Sequence, residues 1–203
     1  CLTDADFNIV VVDSDISNGP VVDGPGTYNY EISINAAPPT MGFTGDFAPS
    51  NWSILQQNNG TVNFAPNGSS VSFDGPDGAF CFGGAEASIA IAMPTAGTVS
   101  FDYTYQSLDL FGAGFDGFIA LIDANGNVTI RVNTTDLVND SGTIEIDVEA
   151  GDVLAMGVLS ADCILGPGIA TVDNFLFEPA GNEDVNFTTC WGTLTAEDKT
   201  APT

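Results

Sequence analysis

The chain has 203 residues and a formal charge of −25, from 27 acids against two basic residues, Arg131 and Lys199. That charge repels phosphate backbones and anionic headgroups, which argues against nucleic acid and membrane surfaces as partners. Hydrophobic residues reach 44% and charged ones only 14%, so the sequence describes a folded core under an acidic surface and not a disordered acidic chain.

The dominant period along the chain is two. "DFNIVVVD" and "TYNYEISIN" read as strands that end at Pro38-Pro39, which cannot continue a ladder. From there "ASIAIAM", "FDGFIALID", "NVTIRVN", "DVLAMGVLS" and "TVDNFLFE" follow at the spacing of a sandwich, separated by Gly, Pro, Asn and Asp. The clearest strand is "GTVSFDYTYQS", where Val99, Phe101, Tyr103 and Tyr105 alternate with Ser100, Asp102, Thr104 and Gln106. "TIEIDVE" repeats the pattern with Ile144, Ile146 and Val148, and Asn125-Gly126 marks a tight hairpin. A second break at "EPAGNED" precedes two short strands in "VNFTTCWGTLTAED". No helical period stands out. The expected fold is all-β: a jelly-roll-like sandwich over 40–179, inserted in, or continuous with, a small Ig-like module whose halves are 1–39 and 180–203.

There is no histidine, which removes Ser-His-Asp and Cys-His catalysis and His-ligated zinc. The four cysteines are widely spaced, with no close pair of the kind that zinc or redox sites use. Read as structural disulfides they imply an extracellular or periplasmic location. Pairing within each unit gives Cys81 with Cys163 inside the sandwich and Cys1 with Cys190 across the flanking halves. A lipid-bearing Cys1 is the alternative for the second pair. Trp52 and Trp191 read as core packing.

The segment "TTCWGTLTAEDKTAPT" resembles the recurring module boundary of giant cell-surface adhesins of Bacteroidota, where a Cys-Trp-Gly strand leads through Glu-Asp-Lys to a Pro-containing linker. "MGFTGDFAPSNWSI" and "TVDNFLF" are similar to the two ends of the jelly-roll domains common in secreted bacterial proteins. The resemblance implies a module of an extracellular, cell-surface array, with neighbouring modules of the same chain or fibre as partners. In jelly rolls of this kind an acid in the last strand and oxygen ligands near the first often hold a structural calcium. Asp173 shares parity with Phe175 and Phe177, and an unpaired buried carboxylate is costly, so Asp173 with Asp46 is the expected calcium pair. Hydrogen bonds from backbone amides are the competing reading of Asp173.

The loop "DLFGAGFDGF" sets Phe111, Phe115 and Asp116 among glycines. It can bind a surface glycan or protein as a loop on a rigid β scaffold, or fold its rings into the core. Three functions are in contention: a non-catalytic adhesive module, a carbohydrate-binding module, and a fibre subunit assembled by strand addition. A glycoside hydrolase would need two carboxylates across a cleft, and no spacing singles out such a pair. The expectation is that the chain is not an enzyme.

Overall fold

The computed structural model describes residues 26–32, 38–112, 114–180 and 190–196. The chain divides into two compact units, one of Cys1–Ala36 with Asp184–Thr203 and one of Ala37–Glu183. In the smaller unit β1 (Gly26–Ile32) pairs antiparallel with β13 (Cys190–Ala196), with Tyr30 opposite Gly192 and Glu31 opposite Trp191. Cys1, the "DFNIVVVD" segment and the side chain of Cys190 lie outside the described residues.

The larger unit is a sandwich of two antiparallel sheets. Its strands are β2 (Thr40–Met41), β3 (Ser53–Gln56), β4 (Thr61–Phe64), β5 (Ser70–Asp74), β6 (Ala85–Ala92) and β7 (Gly97–Ser107). They continue as β8 (Asp116–Ala124), β9 (Asn127–Asn133), β10 (Asn139–Val148), β11 (Val153–Ser160) and β12 (Gly168–Pro179). One sheet runs β10-β7-β12-β5-β4, with β2 beside β12, and the other runs β3-β6-β11-β8-β9. From β5 to β8, and again from β9 to β12, successive strands alternate between the sheets, which gives the jelly-roll-like layout. Between β5 and β12 the one uncrossed link, β8 to β9, is the Asn125-Gly126 hairpin, with φ of 53° and 87° at its two turn residues. Asn and Gly tolerate that left-handed turn.

Each sheet buries one face, and that is why the alternation was written so plainly in the long strands. In β7 Val99, Phe101, Tyr103 and Tyr105 are buried, and in β10 Ile146 and Val148 are. They meet Phe118, Ala120 and Ile122 of β8 and Leu154, Met156 and Val158 of β11 in one core. Towards the far end of β12 the core is aromatic: Phe43, Phe47 and Trp52 pack on Phe175, and the Trp52 indole N–H donates to the Phe47 carbonyl at 2.9 Å. Two 3-10 turns, Gly45–Phe47 and Pro49–Asn51, deliver those rings. Gly42 lets the chain enter them: its φ is +65°, and a Cβ there would stand 2.5 Å from the Gly68 carbonyl oxygen.

One expectation about facing is overturned. Asp173 does not share the buried face of Phe175 and Phe177: Val172 and Phe175 are both buried, and the two residues between them, Asp173 and Asn174, are both exposed. A β-bulge shifts the register between β12 and β7 from Asp173 to Leu176, with Asn174 at φ 49°. The extra residue inverts the parity that a regular strand would keep.

Candidate functional site

The register places five connections at one end of the sandwich: residues 57–60, 75–84, 108–115, 134–138 and 161–167. The described phenylalanines that are exposed, Phe80, Phe82, Phe111 and Phe115, all belong to this end. Phe82 is 94% and Phe111 70% exposed, so these rings do not fold back into the core. They stand in pairs, Phe80 against Phe82 with centroids 4.8 Å apart and Phe111 against Phe115 at 6.0 Å. Leu110 and Leu165 extend the apolar tip.

The loops that carry these rings are cross-braced. The Cys81–Cys163 disulfide, with Cα atoms 5.6 Å apart, joins two of them, and the Cys81 amide donates to the Asp162 carbonyl at 3.0 Å. Backbone amides of Leu108 and Leu110 donate to Pro167 and Leu165, that of Gly114 to Thr135, and that of Ala161 to Phe115. Cys163 and Leu165 have φ of 61° and 73°. Side chains this large hold such angles only where the surroundings over-determine them.

Beneath the tip the core turns polar. Ser107, Asp109, Asp116, Thr134 and Ser160 are buried together with Tyr105, whereas the remaining buried acid, Asp152, lies elsewhere and accepts from the Glu149 amide. Asp116 is 1% exposed and shares parity with Phe118, Ala120 and Ile122, so it points between the sheets and not out with Phe115. Its desolvation raises its carboxyl to about 6; the nearby Ser160 hydroxyl works against that, and Asp109, Asp162 and Asp77 add like charge. Ser160 closes no hydrogen bond on either carboxylate oxygen; its Oγ accepts from the Cys163 amide at 3.0 Å. Burial, with Asp116 and then Asp109 adding negative charge, pushes Tyr105 up to about 12, opposed by Ser107 and Thr134. Asp109 anchors the loop above, its Oδ1 accepting from the Phe111 amide at 2.6 Å.

A groove of about 550 Å³ runs from the tip onto the outer face of the β3-β6-β11-β8-β9 sheet. Phe115 stands at its mouth, Ile119 and Leu159 form an apolar floor, and Gln57, Glu86 and Thr135 supply polar groups. Glu86 is the one acid lining it among the described residues.

The expected calcium pair is not drawn together by burial. Asp46 is exposed on its 3-10 turn, and Asp173 is exposed opposite Asp102 of β7. Hydrogen bonds from Thr143 and then Asn174 hold Asp102 below the usual carboxylate range. The burial that motivated an ion at Asp173 is absent. Asp173→Asn should therefore change the unfolding free energy measured in urea by no more than about 0.5 kcal/mol, and towards stability, because it removes a like charge directly across the sheet. A loss of several times that size would restore Asp173 as a ligand.

The sequence reading missed Tyr105, Ser107, Asp109 and Ser160 as members of a site, and missed Phe80 and Phe82. For Asp116 a signal existed, since its number has the parity of the buried residues of β8.

No protein-family model matches the sequence, and no curated protein does. Among solved structures the fold is similar to the K85A mutant of the family 29 carbohydrate-binding module CBM29-2, with TM-score 0.40 and 11% identity over 73% of this chain and 98% of that one. It is similar to the K2 cleaved adhesin domain of Lys-gingipain, with TM-score 0.41 and 14% identity over 68% and 97%. A third is CBM27-1 of Caldicellulosiruptor saccharolyticus, solved with mannohexaose, with TM-score 0.41 and 10% identity over 71% and 98%. At this identity and TM-score the likeness assigns no ligand to the chain.

Proposed function

We propose that the chain is a non-catalytic adhesive module of an extracellular surface protein, and that its tip and groove bind an uncharged glycan. The observation that carries this reading is the gathering of the exposed phenylalanines on loops held rigid by a disulfide and by backbone hydrogen bonds. Aromatic rings kept out of the core lose apolar stabilisation unless a ligand covers them, and the faces of sugar rings are such a cover. Gln57, Glu86 and Thr135 give the groove hydrogen-bonding groups without a positive charge, which favours a neutral ligand over a sulfated or uronic one. Hydrolysis is disfavoured because two facing carboxylates are needed, and Asp109 and Asp116 are buried inside the sandwich. The disulfide supports an oxidising location, and no helix among the described residues is long and apolar enough to cross a membrane.

The flanks support a second, compatible reading, in which the chain is one link of an array. The antiparallel pairing of β1 with β13 joins residues from the two sides of the sandwich in sequence, as the two halves of one small Ig-like module would. A neighbouring module is then the partner at that unit, and a glycan the partner at the tip.

Isothermal titration against a panel of neutral polysaccharides tests the glycan reading. Phe111→Ala and Phe115→Ala are each expected to weaken binding about tenfold, roughly 1.4 kcal/mol, with circular dichroism unchanged. Affinity untouched by both substitutions, or no binding across the panel, would sink it.

A further inference from the structure

We infer that Asp109 and Asp116, with the phenol oxygen of Tyr105, form an oxygen-only site for a hard divalent cation, calcium, directly beneath the aromatic tip. Among the described residues the buried side-chain polar atoms with no hydrogen-bond partner are four: Tyr105 Oη, Asp109 Oδ2, and both carboxylate oxygens of Asp116. Native interiors leave very few such atoms orphaned, and a gathering of them marks a missing partner. All four belong to three residues that are at least nine-tenths buried, at 3%, 7% and 1% exposure.

They share one location. A Cβ on Gly168 would sit 3.0 Å from the Asp116 Cβ and 3.1 Å from the Tyr105 ring, so Asp116 and Tyr105 flank the same glycine. A Cβ on Gly166 would sit 3.1 Å from the Asp109 amide. Ser107 pairs with Gly168 across the ladder and accepts from the Asp109 amide at 3.3 Å. Asp116, Tyr105 and the Asp109 backbone therefore all neighbour the segment Gly166–Gly168 at the start of β12.

A cation would satisfy these atoms and balance the charge of both carboxylates at once, where a proton on Asp116 would neutralise that one group alone. Water would satisfy the lone pairs but leave the charge of buried carboxylates uncompensated, which is the larger cost. The described residues supply no counter-charge: the one basic residue among them, Arg131, is exposed on β9. An all-oxygen donor set selects calcium over zinc, and calcium tolerates an irregular shell completed by neutral oxygens better than magnesium does. Such completion is required, because no three Asp, Glu or Cys side chains converge on one point among the described residues. Ser107, Thr134 and Ser160 are the hydroxyls available.

The site also bears on the tip. Asp109 holds the Phe111 amide, and Asp116 follows Phe115 in the chain, so one ion would fasten both ends of the loop that presents these rings. That consequence rests on the tip being the binding surface; the ion site does not.

The test is a thermal melt of the full chain after chelation, with calcium or magnesium then added back. Calcium at about a hundred times its Kd is expected to raise Tm by about 5–10 °C, and magnesium by much less. Asp116→Asn and Asp109→Asn should fold and lose most of the calcium response. Terbium in place of calcium gives a readout independent of stability: Tyr105→Phe should weaken the emission sensitised through tyrosine. A wild-type melt indifferent to chelator and calcium overturns the site, as does a shift that persists in both Asn variants. If calcium raises Tm and no glycan binds, the glycan reading fails and the cation site stands.

Discussion

Removing the Cys81–Cys163 bridge, as the double variant Cys81→Ala, Cys163→Ala, is expected to cost about 4–5 kcal/mol and to lower Tm by about 10–15 °C. The bond closes a separation of 82 residues, and in the chain-entropy model a loop of that length restricts the unfolded ensemble by an amount of this order. A second contribution is local. Cys163 is held at φ 61° and Leu165 at 73°, and without the crosslink these angles relax towards commoner regions. The tip is then expected to loosen before the sandwich unfolds. Glycan affinity should fall at temperatures where circular dichroism still reports a full sheet content. Urea denaturation of the variant beside the oxidised wild type measures the first effect, and titration at several temperatures the second. A loss below about 1 kcal/mol would mean that the hydrogen bonds from Cys81 to Asp162 and from Leu110 to Leu165 hold the loops unaided.

How far the sequence disclosed this molecule depended on whether a residue sat in a regular two-faced strand. β7 and β10 have one buried and one solvated face over ten residues or more, so their alternation was legible, as was the Asn125-Gly126 hairpin. β3 and β4 are four residues each, and all of β3 is exposed, so no alternation exists to be read there. The error at Asp173 has a single physical origin. Parity carries information only while the ladder is regular, and Asn174 breaks it. The argument that a buried carboxylate needs a partner was sound and was attached to the wrong acid. Asp116 meets it, and the even numbering of Phe118, Ala120 and Ile122 pointed inward to Asp116 as well. Asp109, Phe80 and Phe82 were beyond such reading, and for Phe111 and Phe115 the loop was legible but not their direction, because a ring in a Gly-rich loop can turn inward or outward. Hydrogen bonds between loops distant in sequence decide which.

The second large effect is expected at the other end of β12. Phe175 is 1% exposed, and its ring lies 5.0 Å from Phe47, 5.1 Å from Phe43 and 6.2 Å from Trp52. Phe175→Ala removes a large apolar surface and leaves a cavity that the 3-10 turns can only partly fill, a change that costs about 3–5 kcal/mol. The paired rings contribute beyond area alone, by roughly 0.5–1.5 kcal/mol each, which places the loss in the upper part of that range. Phe175→Leu keeps much of the volume and none of the ring geometry, so it should recover more than half. Trp52 reports the change directly: it is buried and donates to the Phe47 carbonyl, and loosening of the turns should shift its emission to the red. The tip provides the control. Phe175 lies seven residues along β12 from Gly168, about 23 Å at the rise of a β-strand, so glycan affinity and the calcium response should stay at wild-type values wherever the variant remains folded. Loss of tip binding in folded Phe175→Ala would mean that the two ends of the sandwich are mechanically coupled, and the picture of an independent binding tip on a passive scaffold would have to be given up.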